Sequence, residues 1–186
     1  NATEDNSDGT VDVTTSGVEN DQVVTITLNG QPYTGSVSSN SATVTITASA
    51  LQALTDGNTY SLTADVSDVA GNAAAQVTSA SFTVDTTLPT INAIATSAFS
   101  WGSHLNATED NSDGTVSVTT SGVENGQVVT ITLNSATYTA IVSSDAATVT
   151  ITASGLQALS EGSETLTADV SDVAGNAAAQ VTSASF

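Results

Sequence analysis

The sequence predicts an all-β protein of two tandem sandwich domains, and three observations carry that prediction. Apolar residues alternate with polar ones at period two through most of the 186 residues, while the helical period is nearly absent. Threonine and serine, 33 and 26 residues, make up almost a third of the chain and favour strands over helices. The decapeptide NATEDNSDGT at 1–10 recurs at 106–115, and the likeness runs on. Positions 1–57 and 106–162 are identical at 45 of 57 sites, and after a one-residue deletion 62–82 and 166–186 agree at all 21. The period of 105, falling to 104, is the size of a whole domain and far exceeds the ~20–50 residues of a solenoid unit.

The joint falls in Val84-Asp85-Thr86-Thr87-Leu88-Pro89-Thr90, a short polar stretch with a proline. Residues 1–88 are therefore expected to form the first domain and 89–186 the second. By the period, the counterpart of Trp101 would precede residue 1. The first domain is thus expected to lack its opening strand, as in a piece cut from a longer array.

The elements follow in order. Val11 and Val13 alternate with Asp12 and Thr14, and Val24, Ile26 and Leu28 alternate with Thr25 and Thr27. Asn29-Gly30 then marks a hairpin turn, and Tyr33, Gly35 and Val37 continue the meander. Val44, Ile46 and Ala48 form the next strand, Ala50–Leu54 reads as a helical turn, and Tyr60, Leu62, Ala64 and Val66 form a strand that Gly71-Asn72 ends. Ala80, Phe82 and Val84 make the last strand, and Thr90–Ala95 opens the second domain. About seven strands in about 100 residues is the count of an immunoglobulin-like sandwich. Tyr60, two residues before Leu62, stands where such folds place a tyrosine corner, although the second domain has Glu164 there. Leu62 and Leu166 hold the phase of the usual disulfide, and there is no cysteine or methionine at all.

Composition excludes several functions. With no lysine or arginine and 19 acidic residues, the formal charge is −19. Neutralising nucleic-acid phosphate or an anionic membrane surface needs cations that are missing. No run approaches the roughly 18 apolar residues of a membrane helix, and no signal peptide is visible, so export must be argued from chemistry. Only 10% of residues are charged against 39% hydrophobic, which is too apolar for a solvated acidic tail. His104 is the one histidine, so no hydrolase triad can form in the first domain. The paired carboxylates Glu109 and Asp110 lie in a repeated hydrophilic turn without an aromatic sugar platform. The chain therefore reads as a non-enzyme with no small-molecule substrate.

The acids are placed unevenly. Outward strand positions are mostly threonine and serine, and the carboxylates gather in loops beside asparagine and glycine. Glu4-Asp5-Asn6-Ser7-Asp8-Gly9, repeated as Glu109-Asp110-Asn111-Ser112-Asp113-Gly114, resembles the first half of a calcium loop. Alternate oxygens of a tight loop can turn towards a hard cation, and glycine permits the bend. Thr15 and Thr120 stand where an EF-hand has its twelfth-position glutamate, so an EF-hand is excluded. A second cluster contains Asp65, Asp68 and Asn72, repeated as Asp169, Asp172 and Asn176. A third contains Glu19, repeated as Glu124. In an immunoglobulin-like sandwich the second and third clusters occupy the F–G and B–C loops, at one end of the domain, and the first occupies the A–B loop at the other. Calcium is expected at each E-D-N-S-D-G loop, and a further ion at the joint, where Asp85 would lie between the first domain's A–B loop and the second domain's B–C and F–G loops with Glu124, Asp172 and Asn176, since a hard cation takes six to eight oxygen ligands.

The linker, the Ala-Asp-Val-Ser-Asp-Val-Ala-Gly-Asn segments at 64–72 and 168–176, and the long near-identical tandem unit resemble the bacterial immunoglobulin-like repeats of giant RTX adhesins. The resemblance covers the whole chain. It implies a calcium-rigidified extender, exported by type I secretion to the cell surface, whose partners are neighbouring repeats and which holds a distal binding domain away from the cell. The alternative is a module that itself binds carbohydrate or ice. The threonine ladders Thr25/Thr27 and Thr43/Thr45/Thr47 are read instead as exposed strand faces.

Overall fold

The computed structural model describes residues 1–186 and divides into two compact units, Asn1–Thr86 and Thr87–Phe186, two residues ahead of the joint read from sequence. In the first unit a 3-10 turn, Glu4–Asn6, precedes β1 (Gly9–Thr14), β2 (Val23–Leu28), β3 (Gln31–Ser36) and β4 (Ser41–Ile46). Then come α1 (Ala48–Gln52), β5 (Thr59–Tyr60), β6 (Leu62–Asp65), β7 (Val77–Thr78) and β8 (Phe82–Thr83). The main sheet runs β3-β2-β6-β7, and β1 pairs antiparallel with β4. Val24, Ile26 and Leu28 face Ala42, Val44 and Ile46 across the core, as period-two alternation requires.

The second unit carries β9 (Thr90–Ile91), a 3-10 turn at Thr96–Ala98 and another at Glu109–Asn111, then β10 (Gly114–Ser121) and β11 (Val128–Leu133). It continues with β12 (Ala136–Ile141), β13 (Ala146–Ile151), α2 (Ala153–Gln157), β14 (Leu166–Asp169) and β15 (Val181–Thr182). Its seven strands form two sheets, β13-β10-β9 and β12-β11-β14-β15, the two-layer antiparallel arrangement of an immunoglobulin-like sandwich. Only the opening of the first strand read over 90–95 pairs within this sheet: Ile91 faces Thr120, and Asn92 N–H donates to Thr119 O at 2.9 Å. The chain then reaches the other sheet, where Ala184 N–H donates to Ile94 O at 2.8 Å.

Two local readings shift. The helical turn read at 50–54 begins at Ala48, because Asp8 Oδ1 accepts the Ala48 N–H at 2.8 Å and satisfies one of the donors a helix start leaves open. The strands read through 60–66 and 80–84 are each interrupted. The Leu62 N–H donates to Ser79 Oγ at 2.9 Å in place of a main-chain acceptor, and that hydroxyl donates onward to Ala80 O. The second unit repeats the device with Leu166 and a buried Ser183. The Asn29-Gly30 turn has φ of 49° and 76°, the left-handed pair that a type I′ hairpin needs. Tyr60 forms the corner read from sequence: its hydroxyl accepts the Thr55 N–H at 2.9 Å, and this bond lowers the phenol's pKa.

Candidate metal centres

The β1–β2 and β6–β7 loops of the first unit meet, as the second and third acidic clusters were expected to. Glu19 Oε2 accepts the Val69 N–H at 3.0 Å. Within the β6–β7 loop, Asp68 Oδ1 accepts the Asn72 N–H and Oδ2 accepts the Asn72 side-chain amide, both at 2.7 Å. Two main-chain bonds close the same turn, Asp68 N–H to Asn72 O and Gly71 N–H to Asp68 O. Gly71 sits at φ 88°, where a Cβ would be strained. The Asn72 bonds, side chain first and backbone second, stabilise the charged carboxylate and lower the pKa of Asp68. Asp65 is held at both oxygens by Gln76 Nε2, at 3.0 and 2.9 Å.

The second unit reproduces each contact. Glu124 Oε2 accepts the Val173 N–H at 2.9 Å, Asp172 grips Asn176 at 2.7 and 2.8 Å, and Gln180 holds Asp169. Here Asp172 and Asn176 are only 4% and 2% exposed, against half-buried Asp68 and exposed Asn72. A buried carboxylate is tolerated only when its oxygens are hydrogen-bonded, and these are.

The polar groups of the E-D-N-S-D-G segments bond within their own turn and to α1 or α2. Asn1 Oδ1 accepts the Thr3 and Glu4 N–H groups, Asn6 bridges Ala2 O and Gln52, and Glu4 meets the N-terminal ammonium at 2.9 Å. In the second unit Asn106 caps the same turn, Glu109 Oε2 accepts the Asn106 N–H, Asn111 bridges Ala107 O and Gln157, and Asp113 accepts the Ala153 N–H. Asn1 Oδ1 and Asn106 Oδ1 each accept two N–H groups. Asp5 and Asp110 are half-buried on the same 3-10 turns.

No group of three or more carboxylate or histidine side chains meets at a point suited to a metal ion. The donor chemistry is nonetheless that of a hard cation: the clusters offer carboxylate, amide and main-chain oxygens, with no thiolate and no imidazole. An ionised carboxylate offers about four acceptor positions, so one or two N–H bonds leave room for an ion. In the end loops Glu19 reaches across to the turn that carries Asp68, and Glu124 to the turn that carries Asp172. Sequence reading missed Gln76 and Gln180. It also missed Asp56, whose Oδ1 accepts the Thr86 N–H at 2.6 Å and anchors the chain where it leaves the first unit. The Asp56-Gly57 turn was the available signal. Asp85, beside Thr86, is half-buried.

No protein-family model and no curated protein matches the chain. Among solved structures it resembles a Ca2+-stabilized adhesin that helps an Antarctic bacterium reach out and bind ice, at 29% identity and a TM-score of 0.51 over 99% of this chain. The chain spans 44% of that structure's length. A structure concerned with host cell surface retention of a 1.5-MDa bacterial ice-binding adhesin matches at 29% identity, covering 98% of this chain and 57% of its own, with a TM-score of 0.48. The fibronectin(III)-like modules of Clostridium thermocellum CbhA share the fold, with 11% identity, a TM-score of 0.52 and coverage of 96% and 84%. The chain is a tandem of two immunoglobulin-like β-sandwich units, similar to the repeats of bacterial adhesins. Its likeness is to the Marinomonas ice-binding adhesin, at 29% identity.

Proposed function

We propose that the chain is a calcium-stabilised spacer of a large adhesin, exported to the bacterial cell surface, where its partners are adjacent repeats of the same chain. The observation that carries this reading is the duplicated end-loop cluster. Glu19 reaches the Asp68–Asn72 turn, and Glu124 reaches the Asp172–Asn176 turn, with the same bonds. Nothing in such a chain balances these charges, since it has no lysine or arginine. A divalent cation would offset their repulsion. The adhesin that the chain resembles is itself Ca2+-stabilized.

The end-loop oxygens of Glu19, Asp65, Asp68 and Asn72, and of Glu124, Asp169, Asp172 and Asn176, are the first ligands proposed. Asp85 is a further one. Glu4, Asp5, Asn6 and Asp8, with Glu109, Asp110, Asn111 and Asp113, form the second set proposed, whose carboxylates keep acceptor positions beyond their present bonds. Calorimetric titration with calcium separates the two sets. The pair Glu19→Gln and Glu124→Gln should lower the number of ions bound, while Glu4→Gln and Glu109→Gln should change it little. The opposite pattern would move the proposal to the A–B turns, and no binding in the parent chain would end it. For the spacer role, small-angle scattering should give a narrower distribution of dimensions in calcium than in EDTA. The same distribution in both would exclude calcium-dependent stiffening.

A further inference from the structure

The second unit carries one long strand that is paired on one side only. In the sheet β12-β11-β14-β15, β12 bonds to β11 alone. The other strands at sheet edges offer less. β9 and β15 are two residues each, and β13 packs against β12 itself. The first unit shows how close that cover is, since a Cβ on Gly35 of β3 would stand 2.6 Å from the Thr43 carbonyl of β4. Register fixes which groups of β12 stand on its open side. Val142 N–H donates to Gln127 O at 2.8 Å. Antiparallel pairs alternate between bonded and non-bonded. Ala140, Tyr138 and Ala136 therefore turn their N–H and C=O towards β11, and Thr137, Thr139 and Ile141 turn theirs outward. The same three side chains lie on the solvent face, where Ile141 is 65% exposed and sits opposite Val128.

The first unit blunts the equivalent edge. Pro32 stands at the position of Thr137 and removes one outward N–H, and Ser36 stands at the position of Ile141. Proline and charge are common protections of an open edge. β12 has neither, because residues 134–144 include no proline and no charged side chain. Two copies of a chain of charge −19 repel one another at a distance. Along β12 they can meet without bringing carboxylates together, and charges further off are screened beyond about 8 Å at physiological salt. The edge is also self-complementary. A two-fold axis at Thr139 sets Thr139 against its own copy and Ile141 of each chain against Thr137 of the other, and in each of these pairs the outward N–H and C=O groups meet.

We propose that β12 is a docking edge for a second copy of this chain, which pairs with it antiparallel, β12 to β12. The two four-stranded sheets then continue as one. Main-chain bonds set the register, and Ile141 against Thr137 of the other copy adds cross-strand apolar contact. One six-residue strand makes a small interface beside the roughly 1,600 Å² of a standard complex, so the pairing is weak and reversible. A basic partner would be drawn to the acidic loops and has no charge to meet on this strand. The inference goes beyond the spacer reading and uses none of the residues proposed as calcium ligands.

Sedimentation equilibrium of the full chain in calcium buffer tests this. Dimer should form as the concentration rises. Raising the salt from about 0.15 to about 1 M should favour it, because screening weakens the repulsion between copies. Where dimer forms, the amides of Thr137, Thr139 and Ile141 should exchange with deuterium more slowly, and those of Thr34 and Ser36 should not change. The variant Thr137→Pro with Ile141→Ser takes the residues that the first unit already carries at these positions, so its fold is expected to hold. It should weaken association at least about tenfold. Ile141→Asp, a change at an exposed site, should abolish the dimer at the lower salt. A chain that stays monomeric at every concentration and salt, an association that these variants leave intact, protection of Thr34 and Ser36 in place of β12, or an association that salt weakens would overturn the proposal.

Discussion

Trp101 lies against Gly114 so closely that a methyl group on that glycine would stand 2.6 Å from the ring. The glycine is thus part of the packing of an aromatic cluster that closes one side of the second unit. Gly114→Ala should destabilise that unit by about 1–3 kcal/mol, the usual cost of overpacking a filled core. Gly9→Ala should cost clearly less, because the nearest atom is the end of the Leu51 side chain at 3.3 Å. Denaturant unfolding of each variant, with resonances assigned to each unit, measures the difference. Equal costs would mean that the indole does not need the glycine.

The two β-hairpins at 29–30 and 134–135 share a turn but differ in sequence. Ser135 stands at φ 66° where the first unit has Gly30 at φ 76°. Left-handed backbone costs a non-glycine residue roughly 1 kcal/mol. Ser135→Gly should therefore stabilise the second unit by up to about 1 kcal/mol, and Gly30→Ser should weaken the first by a similar amount. Opposite signs in chemical denaturation would contradict the turn assignment.

Asp68 makes the first unit sensitive to acid. Its folded-state pKa lies below the ordinary 3.8 because Asn72 binds the charged form through its side-chain amide and main-chain N–H. The stabilising contribution is complete above pH 3.8 and fades as the pH falls through the lower folded-state value. Asp68→Asn should flatten that part of the stability–pH curve and leave the neutral-pH fold in place. A carboxyl carbon shift that titrates at or above 3.8 would refute the proposed clamp.

Much of this was legible in the sequence, for definite reasons. Period-two alternation located Val24, Ile26, Leu28, Val44 and Ile46, because strand faces alternate whatever the wider context. The repeat made the joint visible, and Asn29-Gly30 named its own turn type. The meeting of Glu19 with the Asp68–Asn72 turn followed from loop order in a sandwich. The bonding of the E-D-N-S-D-G turn did not. Carboxylates spaced for a cation can equally accept N–H groups, and Asp8 accepts the donor at Ala48, 40 residues along the chain. The breaks in the paired strands were hidden for a similar reason, since a serine hydroxyl standing in for a carbonyl leaves no trace in hydrophobic periodicity.

The central claim is that calcium holds these repeats stable, and thermal unfolding of the full chain in ~10 mM calcium and in EDTA tests it most directly. A site of the affinity usual for extracellular calcium modules, about 10⁻⁴–10⁻³ M, would add about 1.4–2.7 kcal/mol at that concentration. For a domain of about 100 residues this raises the melting temperature by roughly 5 °C or more per site. The expected result is a rise of at least that size in calcium, lost in EDTA and reduced by Glu19→Gln with Glu124→Gln. Melting at the same temperature in calcium and in EDTA would contradict the claim.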